Sequence, residues 1–357
     1  MSAARQTTVL VTGVGGGAIG AQVYKALRLA ERTPYRIVAA DITAQSWGFP
    51  DADETVVLPR ATHADYLGAL LEACERYEVA AVFPGSEPEL PVLAAQRAAF
   101  TERNILLAVQ PEAVLNTCLD KVTTTQALAA AGFPVVPTRR IASVDEAMDW
   151  APAHLPVVLK PATGGGGSTG VVIAQTRGEL EALAGLLLAD GHDLMAQAYI
   201  GTPGDEYTVG VLCDLDGELI NSIGIHRDLD SALSRRLRVA NRCVTERPEL
   251  GPHLVISSGI SQGHAGRYPD ITGPCEAMAK ALGAAGPINL QVRVHAGSVY
   301  VFEVNPRFSG TTSLRAMVGY NEPDVLVRHH ILGETIPRHF PYREGTILRG
   351  LCERLMP

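Results

Sequence analysis

Strands and helices alternate along residues 1–115, and this alternation restricts the fold more than any other feature of the chain. Five apolar runs have the length and composition of buried strands, at 7–13, 36–41, 54–59, 80–85 and 104–109. Helical patterns separate them, at 18–30, 64–77 and 89–100. This order is typical of a mostly parallel sheet with helices on both faces. We therefore predict an α/β fold that begins with a parallel α/β domain.

The rest of the chain divides into two segments that also mix strands with helices. Residues 116–198 are predicted to start with a helix whose N-cap is Thr117 or Asp120. Residues 199–357 are predicted to contain two strand pairs, each joined by a tight turn with glycine in its second position. These turns are Asp216-Gly217 and Ala296-Gly297.

Composition argues against several classes of protein. Hydrophobic residues make up 46% of the chain and charged residues 19%, so disorder is not expected. The net charge of −8 argues against nucleic-acid binding, which needs a basic surface. We find no apolar run long enough to span a membrane, no secretion signal and no CxxC spacing among the six cysteines. We expect a soluble cytoplasmic enzyme.

The glycine turn after the first strand has two interpretations. Gly15, Gly17 and Gly20 form a GxGxxG motif at the start of a helix, and Asp41 ends the next strand. This is the dinucleotide-binding fingerprint, in which the turn holds a pyrophosphate and the acid holds a ribose. The other interpretation is that a tight strand-to-helix turn needs small residues whatever it binds. We prefer the second one because of the motifs that follow.

A second glycine-rich segment, PATGGGGSTG, comes directly after Lys160. It joins two strands and lacks GK[ST], so it is not a Walker P-loop. A glycine hairpin can fold its N–H groups over phosphates, and Lys160 at its base would add a positive charge. The alternative is a disordered surface hairpin with a solvated lysine. The chain has only four lysines against 26 arginines, so each lysine merits an explanation.

Polar side chains interrupt two predicted core strands near residue 300. Glu303 and Asn305 are two positions apart and therefore face the same side of their strand, and Gln291 lies on the strand before. Three such side chains on a buried sheet are costly unless a ligand such as Mg²⁺ satisfies them. Arg307 follows directly. The alternative is a strand end whose polar residues face solvent.

The segments VLKPATGGGGSTG, QAYIGTPGDEYTV and QVRV…VFEVNPRFSGTTSLRAMVGYNEPD resemble the ATP-grasp superfamily, above all its carbamoyl-phosphate-synthase-like, carboxylate–amine ligase branch. The resemblance covers nearly the whole chain. Its most specific part is E-x-N-P-R with a glutamine twelve residues upstream. It implies an ATP-grasp fold with a Rossmann-like pre-ATP-grasp domain (1–115), a small lid subdomain (116–198) and a large subdomain (199–357).

The resemblance also implies roles for individual residues. The implied ATP contacts are Lys121, Lys160, Gly164, Gly165, Gly166, Gly167, Ser168, the hinge residues Gln197, Ala198, Tyr199 and Ile200, and Glu206 for the ribose. Gln291, Glu303 and Asn305 match the ligands of Mg²⁺ or Mn²⁺. Arg307 matches the arginine that steadies the transferring phosphoryl group. Ala198 departs from the glutamate often found in the hinge. The chain has one ATP-grasp unit and no glutaminase, so carbamoyl phosphate is not the expected product.

The expected reaction activates a small carboxylate, such as an amino acid, as an acyl phosphate that an amine attacks, releasing ADP and phosphate. Glu87 or Glu89 could hold a substrate ammonium, although acids also favour a helix N-terminus. The other candidates for substrate binding are Arg227, Ser309, Gly310 and Thr311. Two alternatives remain: an NAD(P) oxidoreductase and a non-catalytic nucleotide-binding protein. The oligomeric state to be tested for this protein is a homodimer.

Overall fold

A parallel sheet forms the first domain of the computed structural model, which describes residues 6–164 and 166–356. Its strands are β1 (Thr7–Thr12), β2 (Tyr35–Asp41), β3 (Glu54–Val57), β4 (Ala81–Phe83) and β5 (Leu106–Leu107). Its helices are α1 (Ile19–Arg28), α2 (Tyr66–Arg76), α3 (Glu89–Ala95) and α4 (Arg97–Thr101). The strand order is β3-β2-β1-β4-β5, which confirms the predicted parallel α/β organisation. The helix predicted over 89–100 is interrupted at Gln96.

Four antiparallel strands form the sheet of the middle segment, in the order β6-β9-β7-β8. The strands are β6 (Thr138–Ile141), β7 (Val157–Pro161), β8 (Val172–Ala174) and β9 (Leu194–Ala198). The helices are α5 (Glu112–Cys118), α6 (Lys121–Ala130), α7 (Val144–Trp150) and α8 (Arg177–Ala189). Asp120 is the N-cap of α6, because its side chain accepts hydrogen bonds from the N–H groups of Val122 and Thr123. The alternative cap, Thr117, is wrong, since it lies inside α5.

The last segment contains an antiparallel sheet of six strands in the order β16-β15-β10-β11-β14-β17, and a separate pair, β12–β13. Its strands are β10 (Glu206–Cys213), β11 (Leu219–Arg227), β12 (Arg235–Ala240), β13 (His253–Ser257), β14 (Gly263–Gly266), β15 (Pro287–His295), β16 (Ser298–Asn305) and β17 (Gly345–Ile347). Its helices are α9 (Pro269–Ala281), α10 (Thr312–Met317) and α11 (Glu322–His330). Both predicted strand pairs are present, as β10–β11 and β15–β16.

The first and last segments share a buried junction. Side chains on one face of β1 belong to the same apolar cluster as side chains of α1, α10 and α11. Polar contacts accompany this packing: Ser313 Oγ donates to Gln22 Oε1 at 2.6 Å, and Asn321 Nδ2 donates to the Ala26 carbonyl at 2.7 Å. The junction therefore fixes the loop after β4 against the end of β16. Among the described residues, no helix has the length and apolarity to cross a membrane.

Candidate active site

One face of the six-stranded sheet is polar where β10, β15 and β16 lie side by side. Gln291 pairs directly with Glu303, and Asn305 pairs with Asn289. Thr208 on β10 lies on the other side of Gln291. The opposite face carries buried aliphatic side chains, including Val209, Leu290 and Val304. The alternation expected from the sequence thus brings Gln291, Glu303 and Asn305 onto one face, and we call this set with Thr208 and Asn289 the polar sheet face.

The side-chain oxygens of Gln291, Glu303 and Asn305 fit a hard divalent cation. Among the described residues, the side chains of Glu303 and Gln291 form no hydrogen bond or ion pair with a protein donor, and both line the cleft. Asn305 differs, since its Oδ1 already accepts a hydrogen bond from Arg307 at 2.7 Å. One carboxylate with amide oxygens is a donor set that suits Mg²⁺ or Mn²⁺. No cluster of three or more His, Cys, Asp and Glu side chains suited to a metal occurs in the described part of the chain.

Arg307 forms an ion pair with Glu87 across the junction between the first and last segments. Its Nη2 donates to Glu87 Oε1 at 2.5 Å, and its Nε donates to the same oxygen at 3.2 Å. The Arg307 side chain is 13% exposed and that of Glu87 29%. The structure thus brings together the predicted phosphoryl-binding arginine and the predicted ammonium-binding acid. Glu89 points elsewhere: its buried carboxylate accepts hydrogen bonds from Thr12, Tyr66 and Ser86.

Two lysines line the cleft next to the polar sheet face. Lys160 is buried, and its Nζ donates to Gln197 Oε1 and to the Phe302 carbonyl, each at 2.9 Å. Burial lowers the pKa of Lys160 to about 8, although the negative charge of Glu303 opposes this shift. Lys121, at the start of α6, donates to the Gly164 carbonyl at 2.9 Å. Both positive charges therefore face the space beneath the glycine hairpin.

The glycine hairpin between β7 and β8 reaches across the cleft to residues 257–259. Ser168 Oγ donates to the Ser257 carbonyl at 2.7 Å. A Cβ atom built on Gly259 would lie 3.3 Å from the Cα of Gly167, so the two segments are in close contact. Gly164 and Gly167 have φ angles of 65° and 69°, a backbone region that favours glycine. Gly166 lies in the same short turn, and Gly165 is outside the described residues.

The hinge residues 197–200 line the inner end of this cleft. The N–H groups of Ala198 and Tyr199 donate to the carbonyls of Pro137 and Pro156. The Ile200 carbonyl accepts a hydrogen bond from Arg293 at 3.2 Å. Several backbone groups of the hinge are therefore already paired within the protein. The adenine contacts expected for Gln197, Ala198, Tyr199 and Ile200 stay predictions.

Glu206 and Arg227 pair with each other instead of presenting free groups to a ligand. The Glu206 side chain is 1% exposed, and its two oxygens accept hydrogen bonds from Arg227 Nη1 and Arg293 Nη2 at 3.0 and 2.9 Å. Burial alone would raise the pKa of Glu206, but Arg293 and Arg227 hold it below its ordinary value. Arg227 Nη2 also donates to the carbonyls of Ser258 and Ile260. Ribose binding by Glu206 and carboxylate binding by Arg227 therefore need a rearrangement of this cluster.

Ser309 and Gly310 reach the cleft, whereas Thr311 faces inward. Ser309 Oγ accepts hydrogen bonds from the N–H and the hydroxyl group of Thr311. Thr311 is 1% exposed, and only Ser309 and Gly310 of the three line the cleft. The Gly310 carbonyl accepts a hydrogen bond from Arg349. Among the substrate candidates on this loop, Ser309 and Gly310 thus have access to a ligand in this structure.

Packing explains the last glycine of the GxGxxG turn in the first domain. A Cβ atom on Gly20 would lie 1.9 Å from the Thr12 carbonyl oxygen, so α1 can approach β1 only with glycine at this position. Asp41 accepts hydrogen bonds from the Ile42 N–H and the Ser46 hydroxyl group, at 2.7 and 2.8 Å. Gly17 lines the same cleft as Arg307. This geometry favours a structural role for the motif.

Residues that the sequence analysis left out complete the site. Arg293 lies two positions after Gln291, bonds Glu206, and has its guanidinium 4.5 Å from the ring centre of Tyr199. Asn289 lies two positions before Gln291 and lines the cleft. The same alternation that selected Glu303 and Asn305, continued along β15, would have found both residues.

Family models match the chain in three consecutive regions. Residues 9–108 match "PylC-like, N-terminal domain". Residues 120–221 match "Carbamoyl-phosphate synthase L chain, ATP binding domain", and residues 258–349 match "ATP-grasp in the biosynthetic pathway with Ter operon". Together these matches support the ATP-grasp superfamily that the sequence motifs indicated. The match over 120–221 also agrees with the carbamoyl-phosphate-synthase-like branch that the sequence motifs indicated.

Solved structures with the ATP-grasp fold align with nearly all of this chain. L-amino acid ligase from Bacillus licheniformis has a TM-score of 0.63 at 18% identity, over 92% of this chain and 75% of that one. Biotin carboxylase from Campylobacter jejuni has a TM-score of 0.63 at 18% identity, over 93% and 72%. N5-carboxyaminoimidazole synthetase from Staphylococcus aureus, complexed with ADP, has a TM-score of 0.64 at 16% identity, over 94% and 80%. These similarities confirm the predicted ATP-grasp fold.

No curated protein matches the chain significantly. Similarity to ATP-grasp proteins supports an ATP-dependent ligase in general terms, without naming its acid or its amine. It does not favour the NAD(P) oxidoreductase that the GxGxxG motif had left open.

Proposed function

We propose that this ATP-grasp protein is an ADP-forming carboxylate–amine ligase. It transfers the γ-phosphate of ATP to a small carboxylate, and an amine then displaces phosphate from the acyl phosphate to form an amide. The observation that carries the proposal is the polar sheet face. There the side chains of Glu303 and Gln291, which have no hydrogen-bond donor among the described residues, lie between a lysine-lined cleft and Arg307. The similarity to an L-amino acid ligase supports an amino acid or a similar acid as substrate.

ATP binds in the cleft between the middle and last segments. Lys121 and Lys160 supply positive charge for the phosphates, since phosphoryl transfer depends mainly on positioning and charge neutralisation. The hinge at 197–200 faces the adenine. Gln291, Glu303 and Asn305 hold Mg²⁺ or Mn²⁺, which neutralises phosphate charge when bound. The glycine hairpin covers the phosphates and excludes water, which would otherwise hydrolyse the acyl phosphate.

The acid and the amine bind in the wider cleft that continues from the polar sheet face to the first domain. This second cleft contains Arg307, Glu87, Ser309 and Gly310. Arg307 neutralises the transferring phosphoryl group, and Glu87 binds a substrate ammonium. In this structure Arg307 and Glu87 form an ion pair with each other. An arriving ammonium replaces Arg307 at Glu87, and the guanidinium then binds the phosphoryl oxygens. Substrate binding and activation of Arg307 are thereby coupled.

A ligand-binding assay separates this proposal from the oxidoreductase. MgATP is expected to raise the melting temperature of the protein, and NAD is expected to leave it unchanged, because only a ligand that binds the native state stabilises it. ADP release is then measured against panels of carboxylates and amines.

The order of the chemistry is tested with a carboxylate labelled with oxygen-18. Attack of the carboxylate on the γ-phosphorus transfers one labelled oxygen to inorganic phosphate, with ADP as the other product. Adenylation would instead put the label into AMP and release pyrophosphate. AMP as product, or stabilisation by NAD and not by MgATP, would refute the proposal.

A further inference from the structure

A buried ion pair lies next to the polar sheet face, on the same side of the sheet, and the proposed reaction does not use it. The side chains of Arg315 on α10 and Glu322 on α11 are 0% and 1% exposed, and Arg315 Nη1 donates to Glu322 Oε1 at 3.1 Å. Gly210 on β10 makes room for this guanidinium, since a Cβ atom there would lie 2.1 Å from Nη1. Because burying two charges costs free energy, such a pair contributes little to net stability and calls for another explanation.

The ion pair reaches the active site through Asn289. Arg315 Nη2 donates to Asn289 Oδ1 at 2.6 Å, and Thr208 Oγ1 donates to the same oxygen at 2.9 Å. A guanidinium can only donate hydrogen bonds, so the amide atom that faces it must be the oxygen. Both hydrogen bonds of the Asn289 side chain to described residues use Oδ1, so its Nδ2 group has no protein acceptor among them, in a residue that is 2% exposed and lines the cleft. The amide is therefore held with its two N–H donors toward the cleft.

This orientation gives Asn289 a different role from its neighbours Gln291 and Asn305. Asn289 pairs with Asn305 across the strands and lies two positions before Gln291, so its sequence position alone would suggest one more oxygen ligand for the metal. Its oxygen is taken by Arg315 and Thr208, however, and the N–H groups that remain repel a cation and attract an anion. The cleft at this point also contains Arg307 and Ser309, which are donors as well.

We propose that Arg315 is a positioning residue, which fixes the Asn289 amide so that its Nδ2 donates to an anionic oxygen of the acyl phosphate. Glu322 holds Arg315 in turn, and it also accepts a hydrogen bond from Thr312 Oγ1 at 3.1 Å. The inference rests on the proposed function, because that function is what brings an acyl phosphate into this cleft. It assigns Asn289 to the phosphate or carboxylate group and not to the metal.

The experiment uses inorganic phosphate, a product of the proposed reaction, as the probe. Calorimetry measures first the binding of MgADP to the full chain and then the binding of phosphate to the MgADP complex. Asn289→Asp keeps the oxygen that faces Arg315 but replaces the N–H donors with a negative charge. Arg315→Lys keeps a cation beside Glu322 but lacks the second nitrogen that reaches Asn289. Each variant is expected to weaken phosphate binding by roughly tenfold or more, and to leave MgADP affinity within about twofold.

A double mutant distinguishes positioning from a merely structural role. If Arg315 acts through the Asn289 amide, adding Arg315→Lys to Asn289→Asp weakens phosphate binding no further. Arg328→Met is the matched control. Arg328 lies on α11 and forms ion pairs with Asp324 and Glu334, and among the described residues it makes no hydrogen bond to Asn289. It is expected to lower the melting temperature and leave phosphate binding unchanged.

The outcomes separate this inference from the proposed function. Failure of the wild-type chain to bind MgADP refutes the proposed function, and this inference falls with it. MgADP binding with phosphate affinity that is undetectable, or equal in wild type and both single variants, refutes the inference alone. Independent effects in the double mutant refute the positioning role of Arg315, and they leave Asn289 as a phosphate contact in its own right.

Discussion

Among the residues that line the proposed ATP cleft, Lys160 carries a charge that changes with pH near pH 8. Its folded-state pKa of about 8 lies below the ordinary lysine value because the side chain is buried, so the ammonium is complete only at lower pH. MgATP binding should take up a proton above pH 8, and the association constant should then fall by up to about tenfold per pH unit. Calorimetric titrations on both sides of pH 8 measure this. Lys160→Met should bind MgATP weakly and without that slope, and the same slope in this variant would contradict the assignment.

Glu303 provides a second test at the scale of one side chain. Its carboxylate has no protein donor within the described residues and lies opposite Gln291, so its partner in the proposed reaction is the metal. Glu303→Gln keeps the shape and removes the charge, and the Mg²⁺ concentration needed for half-maximal ADP release should rise by at least about tenfold. Asp41→Ala is the control, since Asp41 ends β2 in the first domain and accepts a hydrogen bond from Ser46. An unchanged Mg²⁺ requirement in Glu303→Gln would show that the metal ligands are elsewhere.

Alternation along one strand is a local property, and it predicted the side chains that share the polar sheet face. The sequence placed Glu303 with Asn305 because two positions along a strand return to the same face. The partners of Glu206 depend on two neighbouring strands, β11 and β15, whose register no local pattern specifies. The sequence therefore predicted the Glu206 carboxylate but not the two arginines, Arg227 and Arg293, that pair with it.

Among the elements, the glycine hairpin should be sensitive to backbone conformation rather than to side-chain volume. Gly166 and Gly167 both have open space where a Cβ atom would lie, but only Gly167 has a positive φ angle, 69°. Gly167→Ala strains the turn by about 1–2 kcal/mol, whereas Gly166→Ala does not. Gly167→Ala should thus weaken MgATP binding several-fold more than Gly166→Ala, with a melting temperature only a few degrees lower. Equal affinities in both variants would indicate that the hairpin does not close over the nucleotide.

Elements with a strong local signal were predicted, and elements that depend on distant partners were not. Asp120 caps α6 through its own side chain, so a local motif was enough to find this helix start. Strand β14, with the sequence Gly-His-Ala-Gly, has no apolar alternation and exists because β11 and β17 pair with it on either side. Likewise, β17 lies about 80 residues from its partner. Non-local pairing of this kind leaves no pattern in the strand itself.

For the whole molecule, the contact between the first and last segments determines which groups share the candidate active site. Glu87 and Arg307 are separated by 220 positions in the sequence, and the buried packing of α1 against α10 brings them within hydrogen-bonding distance. The sequence predicted both residues but no contact between them, because the sequence pattern of one domain does not specify how it packs against the other. The GxGxxG turn has a similar explanation, since its last glycine serves the packing of α1 on β1.

This ion pair across the junction allows the last prediction, in which two variants remove the same contact. Arg307→Ala should lower kcat by roughly 10²–10³ and change MgATP affinity little, because negative charge moves toward the oxygens near Arg307 only as the phosphoryl group is transferred. Glu87→Gln keeps Arg307 and should act on the KM of the ammonium-bearing substrate instead. Since a partly exposed pair is worth only about 1 kcal/mol or less, both melting temperatures should stay within a few degrees of wild type. Steady-state kinetics measure kcat and KM for both variants and for wild type, with the carboxylate and amine substrates identified by the ADP-release panels. If both variants lose kcat alike, the pair acts by holding the domains together; if Arg307→Ala loses MgATP affinity and keeps kcat, Arg307 binds the nucleotide and takes no part in the transfer.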